Sequence, residues 1–293
     1  MNRIYRSGAI SCTKAKLKRL LCAPLRHRAI QPSATVFSFD AKRPAPPLLR
    51  KGAVKSSDPA QAGRTMGCDD PRKFGWDRVG EIIDRDGVCG FRLIDTSDVE
   101  EIRSELSRRG CRFDTWDVFI ADRDTALAAS RLLTGGQLPA GLTLLPTPKN
   151  AESEQVKKLQ ATMDNAGLVP FSGSMLTGEI GNAATIAIAD TDANVISTAH
   201  GYMPHNAFSP YRQYAWGGLV AVSESSRGQG LGKYVNAFMI ERVFQDLGAS
   251  HIYELVSEGN IPSRRMVEAC GLRLEPTLTC GIATPHETAR FTK

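Results

Sequence analysis

Residues 218–247 constrain this chain more than any other stretch of its 293 residues. The run Gly218-Leu219-Val220-Ala221-Val222 is apolar, and Tyr214–Ser223 reads as a strand. Ser223 to Ser226 follow, then Arg227-Gly228-Gln229-Gly230-Leu231-Gly232. Leu231–Leu247 then places Leu231, Val235, Phe238, Met239, Val243 and Leu247 at helical spacing, and Gly248 stops it. A strand that passes through a glycine-rich turn into an amphipathic helix makes an anion site. Glycine lets the backbone approach a ligand closely. The first N–H groups of a helix lack internal partners, and the helix end carries a partial positive charge. Arg227 adds a full charge at the rim and Lys233 a second. The expected ligand is a phosphate or pyrophosphate.

The spacing narrows the choice. A P-loop needs G-x-x-x-x-G-K-[ST]; Lys233 follows Gly232, but position 227 is Arg and position 234 is Tyr, so the match fails. A dinucleotide fingerprint needs G-x-G-x-x-G, and the glycines here run G-x-G-x-G. A glycine trio alone would equally serve helix–strand packing. A second segment decides. His251–Glu258 is followed by Asn260-Ile261-Pro262-Ser263, then Met266, then Cys270-Gly271-Leu272. The two segments together, in this order and at this distance, resemble the cofactor loop and the following strand and helix of the GNAT acyltransferase superfamily. The resemblance is strongest over residues 214–276.

The resemblance implies an α/β fold with a mixed, mostly antiparallel central sheet, a splayed pair of parallel strands and flanking helices. It implies acetyl-coenzyme A as co-substrate and no metal. By position, Val220 and Val222 look like the strand residues whose backbone pairs with the pantetheine arm. Arg227, Gly228, Gln229, Gly230, Leu231 and Gly232, with Lys233 beside them, look like the pyrophosphate loop. Asn260 resembles the cofactor contact on the neighbouring strand end, with Ser263 assisting. The departures concern proton transfer. Many members place a Tyr acid seven residues after the Asn, where this chain has Val267. A base Glu is common near the position of Tyr214, yet no carboxylate lies between Tyr211 and Val222. Tyr211, Tyr214, Ser257 and Glu258 are the substitutes on the strands beside the loop, and His200 and His205 flank the hairpin end. Cys270 reads as a core thiol, and the histidines form no metal set with any Cys or carboxylate.

The rest of the chain is read more coarsely. Val88–Ile94 and Trp116–Ala121 read as strands, with helices from Asp98 to about Arg109, over Asp124–Leu133 and over Glu152–Asn165. Gly135 to Pro148 reads as loop and Pro170–Gly181 as a flexible connection. Ala183–Ala189 and Val195–Gly201 flank Asp190-Thr191-Asp192, a hairpin signal. His251–Val256 reads as a buried strand, Pro262–Ala269 as a helix, and Leu272–Leu274 and Leu278–Ile282 as separate terminal strands. The upstream hairpin and the helix over 152–165 fit the family's earlier elements loosely, and residues 86–150 have no assigned place.

Charge divides the chain at residue 65. Residues 1–65 hold 14 Lys/Arg against 2 Asp/Glu, which leaves 23 against 29 in residues 66–293. The basic part reads as a disordered or spurious extension. A mitochondrial-type targeting peptide, a nucleic-acid-binding arm and an upstream stretch before a start at Met66 all remain open. Residues 66–293 read as the acyltransferase region, too acidic for a nucleic-acid surface. No apolar run spans a membrane. Seven cysteines without a C-x-x-C pair fit a reducing, cytoplasmic setting. The expected activity is direct ternary-complex transfer of acetyl from acetyl-coenzyme A to a small-molecule or peptidyl amine. The alternative is a coenzyme A-binding sensor or interaction module without turnover. A homodimer is left open.

Overall fold

The structure is a computed structural model that describes residues 66–135, 138–205 and 209–287, together with the backbone of 38–40 and 63–65. Within the basic segment, β1 (Ser38–Asp40) and β2 (Gly63–Thr65) pair antiparallel; the rest of residues 1–62 lies outside the described residues.

A single nine-stranded sheet organises the remainder, in the order β3-β4-β11-β5-β10-β9-β8-β7-β6. The strands are β3 (Gly67–Cys68), β4 (Cys89–Asp95), β5 (Cys111–Asp122), β6 (Thr143–Leu145), β7 (Ala183–Ala189), β8 (Val195–Tyr202), β9 (Tyr214–Val222), β10 (His251–Val256) and β11 (Arg273–Pro285). Two pairs are parallel, β3/β4 and β9/β10, and the others antiparallel. This is the mixed, mostly antiparallel sheet that the sequence leads one to expect. The hairpin between β7 and β8 closes because the Asp190 carboxylate accepts from the backbone N–H groups of Asp192 and Asn194, at 3.0 and 2.8 Å.

Helices cover both faces. On one lie α4 (Arg123–Thr134), α7 (Leu231–Asp246) and α8 (Ile261–Ala269), and on the other α5 (Glu154–Asn165) and α6 (Gly173–Leu176). α7 buries Leu231, Val235, Met239, Ile240, Val243 and Phe244 against β7, β8 and β9. Each such side chain contributes about 1.5–3 kcal/mol relative to exposure. On the far face α5 sets Val156, Leu159 and Met163 into a second core with Phe171, Tyr202, Trp216 and Tyr253. A third core gathers α2 (Trp76–Asp86) and α3 (Val99–Arg108) on β4 and the start of β5.

Several expectations are corrected. α1 (Pro71–Phe74) and α2 lie before Val88–Ile94, where the sequence reading gives no element; Val79, Ile82 and Ile83 of α2 are core residues. β6 lies inside the stretch read as loop, too short to show a period. The Pro170–Gly181 connection contains α6, whose Met175 and Leu176 are buried. The two terminal strands are one, β11. Its register shifts between Leu274 and Thr279, where Pro276 has no N–H for the ladder. The unplaced residues 86–150 supply β5, which pairs with β10 on one side and β11 on the other, so the N-terminal half completes the middle of the sheet.

Candidate active site

The site is built where β9 and β10 part. Their parallel pairing runs from Tyr214/His251 to Gly217/Glu254 and ends there. β10 continues to Val256 on β5, and β9 continues to Val222 on β8. The separation coincides with a bulge. Thr198 pairs with Ala221 but His200 with Gly218, so Leu219 and Val220 together oppose Ala199, and Leu219 has φ +50°. Holding a leucine in the left-handed region costs about 1–2 kcal/mol. Beyond the bulge, Ser223 donates its N–H to the Ile196 carbonyl at 2.8 Å, toward β8. By strand alternation the backbone groups of Val222 and Val220 point the other way, into the opened edge. That edge offers donors and acceptors to an extended ligand.

The glycine loop stands at the end of this edge. Gly228 and Gly230 both have φ +79°, and a Cβ on either would meet nothing within 4 Å, so the loop combines a glycine-only backbone with free space beside it. The N–H groups of residues 228–232 donate to no acceptor among the described residues. The 16-residue α7 then begins without a side-chain cap. Arg227 is exposed and donates from Nε to the Val222 carbonyl at 3.4 Å; Gln229 and Lys233 are exposed beside it. Gly232 is in ordinary contact with Met266, so its lack of a side chain is not sterically required. Across the opening, Asn260 caps α8 by accepting the Ser263 N–H on Oδ1 at 3.1 Å.

On the α7 face, one residue that the sequence reading missed sits at the point of parting. Glu254 is 3 % exposed, and burial raises its carboxyl from about 4.5 to about 7, against the Asn236 amide that donates to Oε1 at 2.8 Å. The available signal was a carboxylate inside the otherwise apolar run His251–Val256. Cys270 lies next to the same amide, and burial pushes its thiol up to about 12, which makes it the core thiol expected.

The opposite face is aromatic. Trp216 and Tyr253 are partners on β9 and β10, one residue before the strands part. Trp216 packs on Phe171 and Tyr202, and the Tyr253 hydroxyl meets His205 Nε2 at 3.1 Å. Burial and then the charge of Arg92 lower His205 to about 3. Tyr211 and Tyr214 pack edge to face beside His205, with Tyr214 stacked on His251, so both belong to this cluster. His200 does not reach a substrate-facing edge as the sequence suggested. It is fully buried, its Nδ1 lies 2.8 Å from Thr185 Oγ1, and burial lowers it to about 3. Ser257 and Glu258 are exposed past the end of β10, away from the point of parting. Val267 is fully buried in the core under α8.

Among the described residues no helix is long and apolar enough to cross a membrane, and no three His, Cys, Asp or Glu side chains are grouped to hold a metal ion. Residues 158–272 match the model of the acetyltransferase (GNAT) family. No protein of curated function matches the chain. Among solved structures, a GCN5-related N-acetyltransferase from Kribbella flavida superposes with a TM-score of 0.52 at 16% identity, over 77% of this chain and 82% of that one. A Drosophila protein superposes with a TM-score of 0.52 at 13% identity, over 77% of this chain and 72% of its own. Residues 158–272 are therefore a GNAT acetyltransferase domain, and the sheet in which they lie has the GNAT fold.

Proposed function

We propose that the protein transfers an acetyl group from acetyl-coenzyme A to an amine. The reading rests on one juxtaposition, a loop whose N–H groups donate to no acceptor among the described residues, at the end of a strand edge that β10 has left. The N–H groups of Gly228, Gln229, Gly230, Leu231 and Gly232, with Arg227 and Lys233, would hold the pyrophosphate. Val220 and Val222 would pair with the amides of the pantetheine arm, and Asn260 and Ser263 would border it from α8. An arm that starts at the loop and runs back along β9 brings its reacting end to the bulge at Gly218–Leu219, not to Ser257 or Glu258.

The bound co-substrate supplies an acyl carbon already activated as a thioester. The chain's part is placement, a donor for the carbonyl oxygen and a place for one proton. Strand N–H groups between Leu219 and Val222 would donate to that oxygen. The amine nitrogen forms its bond to the acyl carbon as the carbon–sulfur bond breaks, and the amine loses a proton. Glu254 sits at the point of parting with a carboxyl near neutrality, which suits it to take that proton, directly or through water. A thiol of ordinary pKa, about 8.5, leaves as thiolate with little help, so a valine at position 267 is compatible with turnover. Five cysteines buried as free thiols fit a reducing, cytoplasmic compartment.

The test is a calorimetric titration of acetyl-coenzyme A into the full chain, followed by thiol release with a panel of amines. Micromolar binding and amine-dependent release are expected. Binding without release from any amine would leave the sensor reading standing. No binding by folded protein would reduce the loop to a packing turn.

A further inference from the structure

A buried guanidinium needs a counter-charge, and among the described residues Arg92 meets no carboxylate; it hydrogen-bonds the Cys280 side chain, a neutral thiol. It is 7 % exposed, and neither Nε nor Nη1 has a hydrogen-bond partner among the described residues. Its guanidinium carbon lies 5.8 Å from the centre of the Trp216 ring. Arginine stays protonated, and an ion taken out of water without a counter-charge is among the costliest groups a fold can carry.

The backbone is bent to put it there. On β4, Phe91 pairs with Gly281 and Ile94 with Thr279, so Arg92 and Leu93 together oppose Cys280 of β11. Leu93 has φ +52° and donates its N–H to the Cys280 sulfur at 3.1 Å. In a regular strand Leu93 would share the face of Phe91. The bulge instead turns Leu93 into the aromatic core that also holds Trp216, so Arg92 and Leu93 both serve that face, while Phe91 and Ile94 pack in the third core. Arg92 thus reaches Trp216, one residue from the place where β9 and β10 separate. Other orphaned polar atoms share this face: Trp216 Nε1, His200 Nε2, and Oδ1 of Asp69, whose Oδ2 binds the Ser209 hydroxyl. Asp69 acts electrostatically on Tyr211 and Tyr253, the two phenols that flank His205.

We infer that Arg92 binds a carboxylate on the acceptor, so that the amine acetylated by this protein belongs to a free amino acid or similar small amino-carboxylic acid. The inference deepens the transferase reading and rests on it for the position of the amine. A carboxylate against the guanidinium supplies the missing charge, and charge-assisted hydrogen bonds to arginine are directional. With the carboxylate fixed on Arg92, the amine extends toward the opened edge of β9. A neutral amide or a plain alkylamine in the same place would leave the buried guanidinium without a counter-charge, and sites built this way reject the analogue that lacks the group.

The experiment compares glycine, leucine and phenylalanine with glycinamide, leucinamide, phenylalaninamide and phenethylamine, on the full chain with acetyl-coenzyme A, by thiol release. The expected result is at least a hundredfold higher kcat/KM for the acids. Arg92→Met should retain its acetyl-coenzyme A Kd and reduce that ratio to near one, chiefly through acceptor KM. Equal or better use of the amides and phenethylamine by the native chain overturns the inference, as does an Arg92→Met protein that keeps the discrimination. If no amine of either class gives thiol release, the transferase reading fails on its own. The carboxylate site is then read by titrating N-acetylglycine and N-acetylglycinamide into the coenzyme A complex. Binding of the acid alone sustains the inference, and binding of neither or both removes it.

Discussion

Tyr253 and Glu254 are adjacent on β10, yet they face two differently built sides of one sheet. Glu254 points to the α7 face, where Asn236 meets its carboxyl and the core around it is aliphatic. Tyr253 points to the α5 face, where the side chains are aromatic and Arg92, Trp216 and His200 keep polar atoms unpaired. The α7 face leaves Asn236 Oδ1 and Ser130 Oγ without partners, both neutral, whereas the α5 face leaves two nitrogens of a buried cation, Arg92, without partners. A buried polar group without a partner costs about 1–3 kcal/mol, and a charge more. The difference separates the jobs: the α7 side carries the loop and helix that would anchor a common co-substrate, and the α5 side is arranged for a second ligand.

The largest expected effect attacks the anchoring side alone. Arg227→Ala combined with Gly230→Asp removes a charge and places a carboxylate at a φ that disfavours any side chain. The acetyl-coenzyme A Kd should rise roughly 1000-fold, about 4 kcal/mol, in a calorimetric titration, with the far-ultraviolet circular dichroism unchanged. An unchanged Kd would mean that the two faces do not differ in the way described. Both substitutions are at the surface, so loss of binding with retained fold assigns the loop its role.

Glu254 sharpens the comparison through pH. Its carboxyl is raised from about 4.5 to about 7 by burial, so the folded chain holds a proton that the unfolded chain releases. The contribution to stability is therefore complete below about pH 4.5 and is lost as pH rises toward 7, on the order of 3 kcal/mol in all. Denaturant midpoints of the native chain should fall over that window more steeply than those of Glu254→Gln, which has nothing to ionise. If Glu254 also takes the amine proton, kcat should rise with pH through about 7 in the native chain and lie low and flat in Glu254→Gln. A flat stability difference between the two proteins across pH 4.5–7.5 would remove both claims.

The strand, glycine turn and helix of the α7 face were legible in the sequence because their determinants are contiguous. A strand, two glycines forced to φ +79° and a helix fall within residues 214–246, and their order survives any rearrangement elsewhere. The other face was not legible, because Asp69, Arg92, His200 and Trp216 come from separate elements and share no spacing. The bulges that aim them are no more visible. Leu93 and Leu219 have positive φ, yet leucine carries no preference for that region; only the packing around each makes it stay. The place of β5 between β10 and β11 is a pairing across more than a hundred residues, which periodicity cannot report. Glu254 was overlooked for a related reason: its strand is apolar on both sides, and burial of a carboxylate follows from the partner helix, not from the strand.

The smallest expected effect separates two roles that Asn260 combines. Its Oδ1 caps α8, and the resemblance gives the same side chain a contact with the co-substrate. Asn260→Ala removes both, whereas Asn260→Ser keeps a capping oxygen on a shorter side chain. Loss of the cap costs about 1 kcal/mol in the alanine variant and a few tenths or less in the serine variant, read from denaturant midpoints. If Asn260 also contacts the ligand, the two variants should weaken acetyl-coenzyme A binding alike, several-fold, while differing in stability. If the serine variant recovers affinity together with stability, Asn260 acts only by holding the first turn of α8 in place, and the opening between β9 and β10 is held by the loop side alone.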